Sequence, residues 1–385
     1  HDRTTDRPAG HRLSTVEGAV DLGVTMSHVV EPIPGPIPEG VPGDGIPVAA
    51  PRLARHRIRI SDGHTVGIAV AGAGIPLVVV HGFSVEGFLY AQTLSRLVSM
   101  GFKVIAIDTA GHGGTRGLPS DGSDLKAYSE LLGRIIDDLG IDQCILAGHS
   151  MGGRLVTQLA AERPNRTIAV MLIDAIVGDT WDRMVYAFRM MPPMVGVVGA
   201  ALAADAITVL PGWRDPRQTV KFLRLALPTI VGDIVRPWRL LGPVVSILRS
   251  RSSRYALNEL AHQDVPVYVM HGDRDLAVPF RTAREAAERT DGTLITIEGG
   301  GHSWLLRDPE TLPGIVAQLL PGSLGQACRA AIRRGGCTVK DPTVDQIEAA
   351  LYRPDARIFA LTPMSNVTTV AGRHRRPKFR WTIEG

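Results

Sequence analysis

The chain has 385 residues, of which 44% are hydrophobic, and a formal net charge of +4. This length is enough to bury a sizeable core, and the composition is typical of a soluble globular protein. No apolar run reaches the roughly 18 residues that a membrane span needs. No helix-turn-helix, zinc-finger or aromatic-rich basic motif indicates nucleic-acid binding. These features exclude a transmembrane span and leave only surface association with a membrane open.

The first 52 residues predict an extension ahead of the folded domain. Proline recurs at short intervals between Pro32 and Pro42, which prevents a helix or a central strand. Residues 56–60 and 65–70 then alternate apolar and polar side chains around Asp62 and Gly63. That alternation around an Asp-Gly pair predicts a β-hairpin.

Strands and helices alternate over most of the remaining chain. Continuous apolar runs predict buried strands, and we place them at residues 76–81, 103–108, 143–147, 168–173, 266–270 and 293–297. Helical patterns lie between them. We therefore predict an α/β fold with a mainly parallel central sheet flanked by helices, formed by residues 53–176 and 264–321.

Residues 177–263 interrupt this alternation with a helical pattern broken by prolines. Because the segment lies between two sheet strands, we predict a helical cap over the carboxyl edge of the sheet. Its methionines and aromatic residues suit an apolar pocket of irregular shape. Met190, Met191 and Met194 are the candidate pocket residues, with the cap's own core as the competing interpretation.

Residues 322–385 form a C-terminal extension with a predicted helix near residues 344–352 and no recognisable motif. Docking on the cap, dimerisation and contact with a partner are all left open as its role. The three cysteines, Cys144, Cys328 and Cys337, have no metal-ligand spacing. We expect free thiols, although a bond between Cys328 and Cys337 stays open. That expectation favours a cytoplasmic over a secreted protein.

The most informative motif is the pentapeptide of residues 148–152, Gly-His-Ser-Met-Gly. A strand precedes it and a helix follows it, so Ser150 lies on a sharp strand-to-helix turn that exposes its Oγ. A serine hydroxyl needs a base, and the base needs an orienting group. Later in the chain, Asp273 and Asp275 follow one predicted strand and His302 follows the next. The carboxyl ends of parallel strands are where the sites of such sheets gather.

These motifs resemble the α/β-hydrolase superfamily over roughly residues 57–320. The resemblance is carried by the pentapeptide, by His81-Gly82, by the segment 108–113, by Gly-Asp-Arg-Asp at 272–275 and by Gly301-His302. It implies that Ser150 is the nucleophile, that His302 is the general base and that Asp275 orients His302. Asp273 and, more remotely, Asp174 are competitors for the acid.

The same resemblance implies an oxyanion hole formed by the backbone N–H groups of Phe83 and Met151, with Ser84 in the adjoining pocket. Serine at position 150, in place of aspartate, argues against epoxide hydrolases and dehalogenases. We therefore predict an esterase- or lipase-like serine hydrolase acting on small apolar carboxylic esters, without a cofactor or a metal. A C–C bond hydrolase or a lactonase with the same triad is one alternative. A non-catalytic ligand-binding relative is another, and a dimer is left open.

Overall fold

In this computed structural model, the described residues are 53–83, 90–118, 124–209, 238–362 and 376–385. The extension predicted for residues 1–52 and the pocket residue Ser84 lie outside them. Nine described strands form one sheet in the order β1-β2-β4-β3-β5-β6-β7-β8-β9. Their bounds are Ala54–Arg59, Thr65–Ala71, Ile75–Val80, Phe102–Ile107, Cys144–His149, Thr167–Ile173, Val267–Gly272, Thr293–Ile297 and Trp381–Glu384, for β1 to β9 in turn.

The predicted hairpin and the predicted parallel sheet are both confirmed. Strands β1 and β2 pair antiparallel across the turn that contains Asp62 and Gly63. Strands β3 to β8 run parallel to one another, and β4, β5, β6 and β7 are buried along their whole length. Helices cover both faces of the sheet and bury these strands, which is why their sequences are continuous apolar runs.

Thirteen α-helices are described. Their bounds are Ala91–Val98, Leu125–Asp138, Met151–Glu162, Asp179–Met190, Pro193–Val209, Trp238–Arg249, Arg254–Ala261, Phe280–Thr290, Trp304–Arg307, Thr311–Leu319, Ser323–Arg334, Val344–Leu351 and Arg357–Leu361, for α1 to α13 in turn. Helices α4, α5, α6 and α7 lie in the chain between β6 and β7, where the sequence predicts a helical insertion. None of the described helices is both long enough and apolar enough to span a membrane.

The C-terminal extension packs against the sheet and its helices. Buried side chains of α11 and α12, among them Leu324 and Leu351, belong to the main hydrophobic core. Strand β9 adds to the open edge of the sheet by pairing antiparallel with β8. The thiols of Cys328 and Cys337 are free, as expected, and so is that of the buried Cys144.

A buried ion pair helps to hold this extension in place. Lys103 in β4 is almost fully buried, and its Nζ lies 3.0 Å from Glu348 Oε1 in α12. The same ammonium group lies 4.5 Å from the centre of the Phe359 ring, a cation–π distance. Burial lowers the pKa of Lys103, and the charge of Glu348 opposes that shift. Glu348 therefore compensates a cation that would otherwise be buried alone.

We expect Glu348→Gln to lower the free energy of unfolding by about 3 kcal/mol, because removing one partner leaves a buried charge uncompensated. Urea denaturation measures the change. Glu298→Gln is the matched control, since Glu298 pairs with Arg380, whose side chain is 89% exposed. An exposed pair contributes about 0.5 kcal/mol. Equal losses in the two variants would contradict the assigned role of the buried pair.

Candidate active site

Ser150 lies between β5 and α3 on a strained turn. Its φ of 54° and ψ of −116° lie outside the regions that residues other than glycine ordinarily adopt. The flanking glycines permit this turn because there is no room for a side chain. A Cβ on Gly152 would lie 2.2 Å from the Val80 carbonyl oxygen, and one on Gly148 would lie 2.4 Å from the Gly152 backbone. The spacing of the pentapeptide thus follows from close backbone packing.

His302 and Asp275 form a short hydrogen bond beneath the serine turn. His302 Nδ1 donates to Asp275 Oδ2 over 2.6 Å, and both residues are buried. The N–H groups of Ala277 and Val278 donate to the other carboxylate oxygen. Burial raises the pKa of Asp275, but the His302 charge and hydrogen bond, with help from His271 and Val278, bring it below its ordinary value. The carboxylate is ionised at neutral pH and holds the His302 ring in one orientation.

The two competing acids have other partners. Asp273 is exposed, and its Oδ1 accepts a hydrogen bond from the Gly299 N–H. It therefore ties together the loops that follow β7 and β8. Asp174 is fully buried at the end of β6, and its Oδ1 accepts a hydrogen bond from the Gly272 N–H. Of the three aspartates, Asp275 alone bonds to the His302 ring in the part of the chain that the structure describes.

Three further histidines lie near the site, and each contacts its neighbours through a buried ring. His81 accepts a hydrogen bond from the Thr109 N–H, and His112 bonds to the Thr109 hydroxyl. His149 bonds through Nδ1 to the Tyr90 hydroxyl and through Nε2 to the His302 carbonyl oxygen. Burial lowers the pKa of His149 to about 3, so it stays neutral. These contacts give the three rings structural roles around the site.

The predicted oxyanion donors border the same cavity as Ser150 and His302. Phe83 and Met151 both line it. Met151 is the first residue of α3, where the backbone N–H has no acceptor within the helix and the helix dipole is positive. Phe83 follows His81 and Gly82 directly after β3. Both positions suit N–H groups that bind an oxyanion.

The cavity has a volume of about 110 Å³ and an apolar wall. Its further lining comes from Ile176, Trp181, Phe188, Val195, Val198, Gly199, Leu202, Val244, Ile247, Leu248, Ala277 and Val278. Ser150 and His302 contribute the polar side chains among the lining residues that the structure describes. The wall is formed by α4, α5 and α6 and by the loops after β3, β6 and β7.

The three methionines predicted for this pocket lie elsewhere. Met190 is 66% exposed and Met191 is 60% exposed, and neither lines the cavity. Met194 packs against the core without lining the cavity. Met190 lies two positions after Phe188, so helical register turns it away from the inward face of α4, which carries Trp181, Val185 and Phe188. Helix α4 ends at Met190, and Met191 leaves the helix with a φ of −135° and a ψ of 76°.

The residues that replace these methionines follow the periodicity of α5. Val195, Val198 and Leu202 recur at intervals of three and four, which places them on one helix face. Composition could not reveal that face because α5 is apolar on all sides. The inward face of α5 is identified only by which of its residues line the cavity beside Ser150.

The model of the Alpha/beta hydrolase family matches residues 77–312, which is more than half of the chain. The chain belongs to this family. A relative named putative non-heme haloperoxidase, from Mycobacterium phage D29, is 31% identical over 70% of this chain and 95% of its own length.

Two further comparisons agree with this membership. A protein named non-heme chloroperoxidase, from Streptomyces lividans, is 26% identical over 63% of this chain and 91% of its own length. Among solved structures, the esterase RhEst1 from Rhodococcus sp. ECU1013 has a TM-score of 0.54 and 21% identity. That alignment covers 70% of this chain and 99% of the esterase. At this identity the likeness concerns the fold.

Proposed function

We propose that the chain is a serine hydrolase that cleaves small apolar carboxylic esters. The observation that carries the proposal is the 2.6 Å hydrogen bond between His302 Nδ1 and Asp275 Oδ2, at the cavity that Ser150 also lines. A serine beside an imidazole that is oriented by a buried carboxylate is the arrangement for acyl transfer. A non-catalytic ligand-binding protein would not need Ser150, His302 and Asp275 to lie together.

The proposed reaction has two acyl-transfer steps. Ser150 Oγ attacks the ester carbonyl carbon while His302 Nε2 takes the hydroxyl proton. The Phe83 and Met151 N–H groups would stabilise the oxyanion. Collapse of the intermediate breaks the ester C–O bond, and His302 gives the proton to the departing alcohol. Water then attacks the acyl-enzyme with His302 as base, which releases the acid and the free serine.

The apolar cavity wall supports the substrate class. We take residues 177–263 as a cap whose helices α4, α5 and α6 close the site from above, with the core in residues 53–176 and 264–321. An uncharged acyl group gains free energy by leaving water for this wall, whereas a charged one would be buried without a partner.

Hydrogen peroxide is a second candidate acceptor for the acyl-enzyme. The relative that is 31% identical carries the name putative non-heme haloperoxidase. Attack of peroxide on the acyl-enzyme would release a peracid and the free serine, with the same proton transfers through His302. This reaction needs no residue beyond Ser150, His302 and Asp275, so both acceptors are compatible with one site.

Kinetics on p-nitrophenyl esters test the proposal. We expect Ser150→Ala to lower kcat by about 10⁶-fold and Asp275→Asn by about 10⁴-fold, since the asparagine favours the wrong His302 tautomer. Asp273→Asn is the matched control because Asp273 bonds only to the nearby loop backbone, and we expect kcat within about threefold of wild type. Full activity in Ser150→Ala would contradict the proposal. Lactone, diketone and peroxide substrates in the same assay separate ester hydrolysis from the alternatives.

A further inference from the structure

Gly199 lies in the cavity wall on α5, between Val198 and Leu202 on the inward helix face. A Cβ built on Gly199 meets no heavy atom within 4 Å. Gly199 is exposed as well as lining the cavity, so the open space in front of it lies at the edge of the cavity. A larger side chain at this position would therefore occupy room for a ligand without displacing other protein atoms.

We propose that Gly199 sets the depth available to the acyl group and that the substrates are esters of short, linear, uncharged acids. This inference rests on the proposed ester hydrolysis. The cavity of about 110 Å³ is smaller than the roughly 150 Å³ apolar cavity that holds benzene in an engineered protein. A cavity of this size suits a short linear alkyl chain better than a long lipid chain.

The neighbouring Gly196 provides a matched control. It lies one helical turn before Gly199 on α5, and a Cβ there also meets no heavy atom within 4 Å. Gly196 is exposed, as Gly199 is, but it is not among the described residues that line the cavity. Substitution at either position changes helix propensity by the same amount. A difference between the two variants therefore reports on the cavity.

We expect wild-type kcat/KM on p-nitrophenyl esters to rise about fourfold for each methylene added from acetate towards hexanoate, until the cavity is full. In Gly199→Leu the ratio of hexanoate to acetate activity should fall at least about tenfold. Gly196→Leu should keep the wild-type ratio. An unchanged ratio in Gly199→Leu, or an equal fall in both variants, overturns the proposal.

Binding of 1-hexanol to the Ser150→Ala protein, measured by calorimetry, separates this proposal from the proposed reaction. Hexanol binding that is weakened by Gly199→Leu and not by Gly196→Leu supports the cavity assignment even if no ester is hydrolysed. If Gly199→Leu leaves hexanol affinity unchanged, the cavity assignment is wrong whatever the reaction.

A second inference comes from a buried cluster behind the triad. Asp174, His271 and Asp275 form a group of close, fully or almost fully buried ligand atoms. Asp275 Oδ2 is already bonded to His302, and His271 Nε2 donates to the Val278 carbonyl oxygen over 2.9 Å. A cation in the cluster would compete with His302 for Asp275 Oδ2. The arrangement therefore suits a proton better than a metal ion.

Two polar atoms of the cluster lack hydrogen-bond partners among the described residues. They are His271 Nδ1 and Asp174 Oδ2, and the indole Nε1 of Trp304, which acts on Asp174, is a third buried atom without a partner at hydrogen-bond distance. In the neutral imidazole of His271, Nδ1 is an acceptor, because Nε2 carries the proton and donates a hydrogen bond to the Val278 carbonyl oxygen. His271 Nδ1 lies 3.8 Å from Asp174 Oδ1. This distance is longer than a hydrogen bond, and Oδ1 also accepts from the Gly272 N–H, so a protonated Asp174 would have to rotate to supply the missing donor.

We propose that Asp174 is a neutral carboxylic acid that donates its proton to His271 Nδ1 and thereby positions Asp275. Two hydrogen bonds through Val278 connect His271 to Asp275. His271 holds the Val278 carbonyl, and the Val278 N–H holds Asp275 Oδ1. Asp174 is thus a positioning residue rather than the acid of the triad.

The surroundings of Asp174 favour its neutral form. Burial raises its pKa well above the ordinary value, and the negative charge of Asp275 raises it further. The Gly272 N–H and the Trp304 indole act in the opposite direction, while Asp205 from α5 adds to the rise. His149, at 3.8 Å from Oδ2, is neutral, and burial lowers the pKa of His271 as well. The buried Tyr90 keeps its proton, because burial raises its pKa.

Two substitutions separate the role of the carboxyl group from that of the backbone, because Asp174 has a φ of 44°. Asparagine tolerates this conformation and keeps one donor and one acceptor, as in the neutral acid. Glycine relieves the backbone and removes both groups.

We expect Asp174→Asn to keep kcat within about threefold of wild type, with the acid limb of kcat/KM shifted by less than about 0.3 pH units. Asp174→Gly should lower kcat between about 10- and 100-fold while KM stays nearly constant. A shift of the acid limb by about one unit in Asp174→Asn would show that a charge was lost, and would overturn the proposal. So would wild-type kcat in Asp174→Gly.

Infrared difference spectroscopy tests the protonation directly and needs no activity. The spectrum of wild type minus Asp174→Asn at neutral pH should contain the C=O band of a protonated carboxyl group. A carboxylate band in its place overturns the proposal. This measurement stays decisive if Asp174→Gly does not fold or if the protein hydrolyses no ester.

Discussion

The close approach of Gly152 to the Val80 carbonyl is the constraint on which the site depends. It lets α3 start directly against β3 and forces the chain through Ser150 with a φ of 54°. A residue with a side chain at position 152 would push the helix away from the sheet. The serine would then leave the cavity, and its neighbour Met151 would no longer present a free N–H at the helix start. The proposed nucleophile and one proposed oxyanion donor are thus positioned by one packing contact.

The parallel sheet brings the remaining groups to the same place. Asp275 and His302 lie on loops after β7 and β8, and these loops meet because the carboxyl ends of parallel strands share one edge. The loops are tied together by the Gly299 N–H, which donates to Asp273. Beneath them, Asp174 and His271 connect two neighbouring strands through buried polar contacts. In the proposed mechanism, the His302 ring is thus already held by Asp275 before any substrate binds.

Residues with fixed spacing could be predicted from the sequence. The strand–Ser150–helix pattern, the aspartate three residues after Gly272 and the histidine after Gly301 all carry local backbone requirements, which is why their positions in the fold were predictable. The hairpin around Asp62 and Gly63 was predictable for the same reason, and the pairing of β1 with β2 confirms it. The C-terminal extension had no such signal. Its helices complete the core through Leu324 and Leu351, and its last strand pairs with β8.

The pocket wall was the part that sequence reasoning placed wrongly. Met190 and Met191 have the right chemistry, but helical register turns Met190 outward, and Met191 lies where α4 ends. Gly199 has no side chain to notice, and its meaning depends on the open space in front of it. The neutral state proposed for Asp174 likewise depends on the atoms that surround it in three dimensions. Such properties arise from packing between distant segments, which composition and spacing do not encode.

Covalent labelling of Ser150 tests the central claim most directly. An alkyl fluorophosphonate reacts with a serine only when a neighbouring base activates the hydroxyl. The account predicts that mass spectrometry of the digested wild-type protein finds the phosphonyl group on the peptide that contains Ser150. It also predicts that His302→Ala reacts far more slowly and that Ser150→Ala does not react. A wild-type protein that stays unlabelled, or equal labelling in Ser150→Ala, would contradict the account.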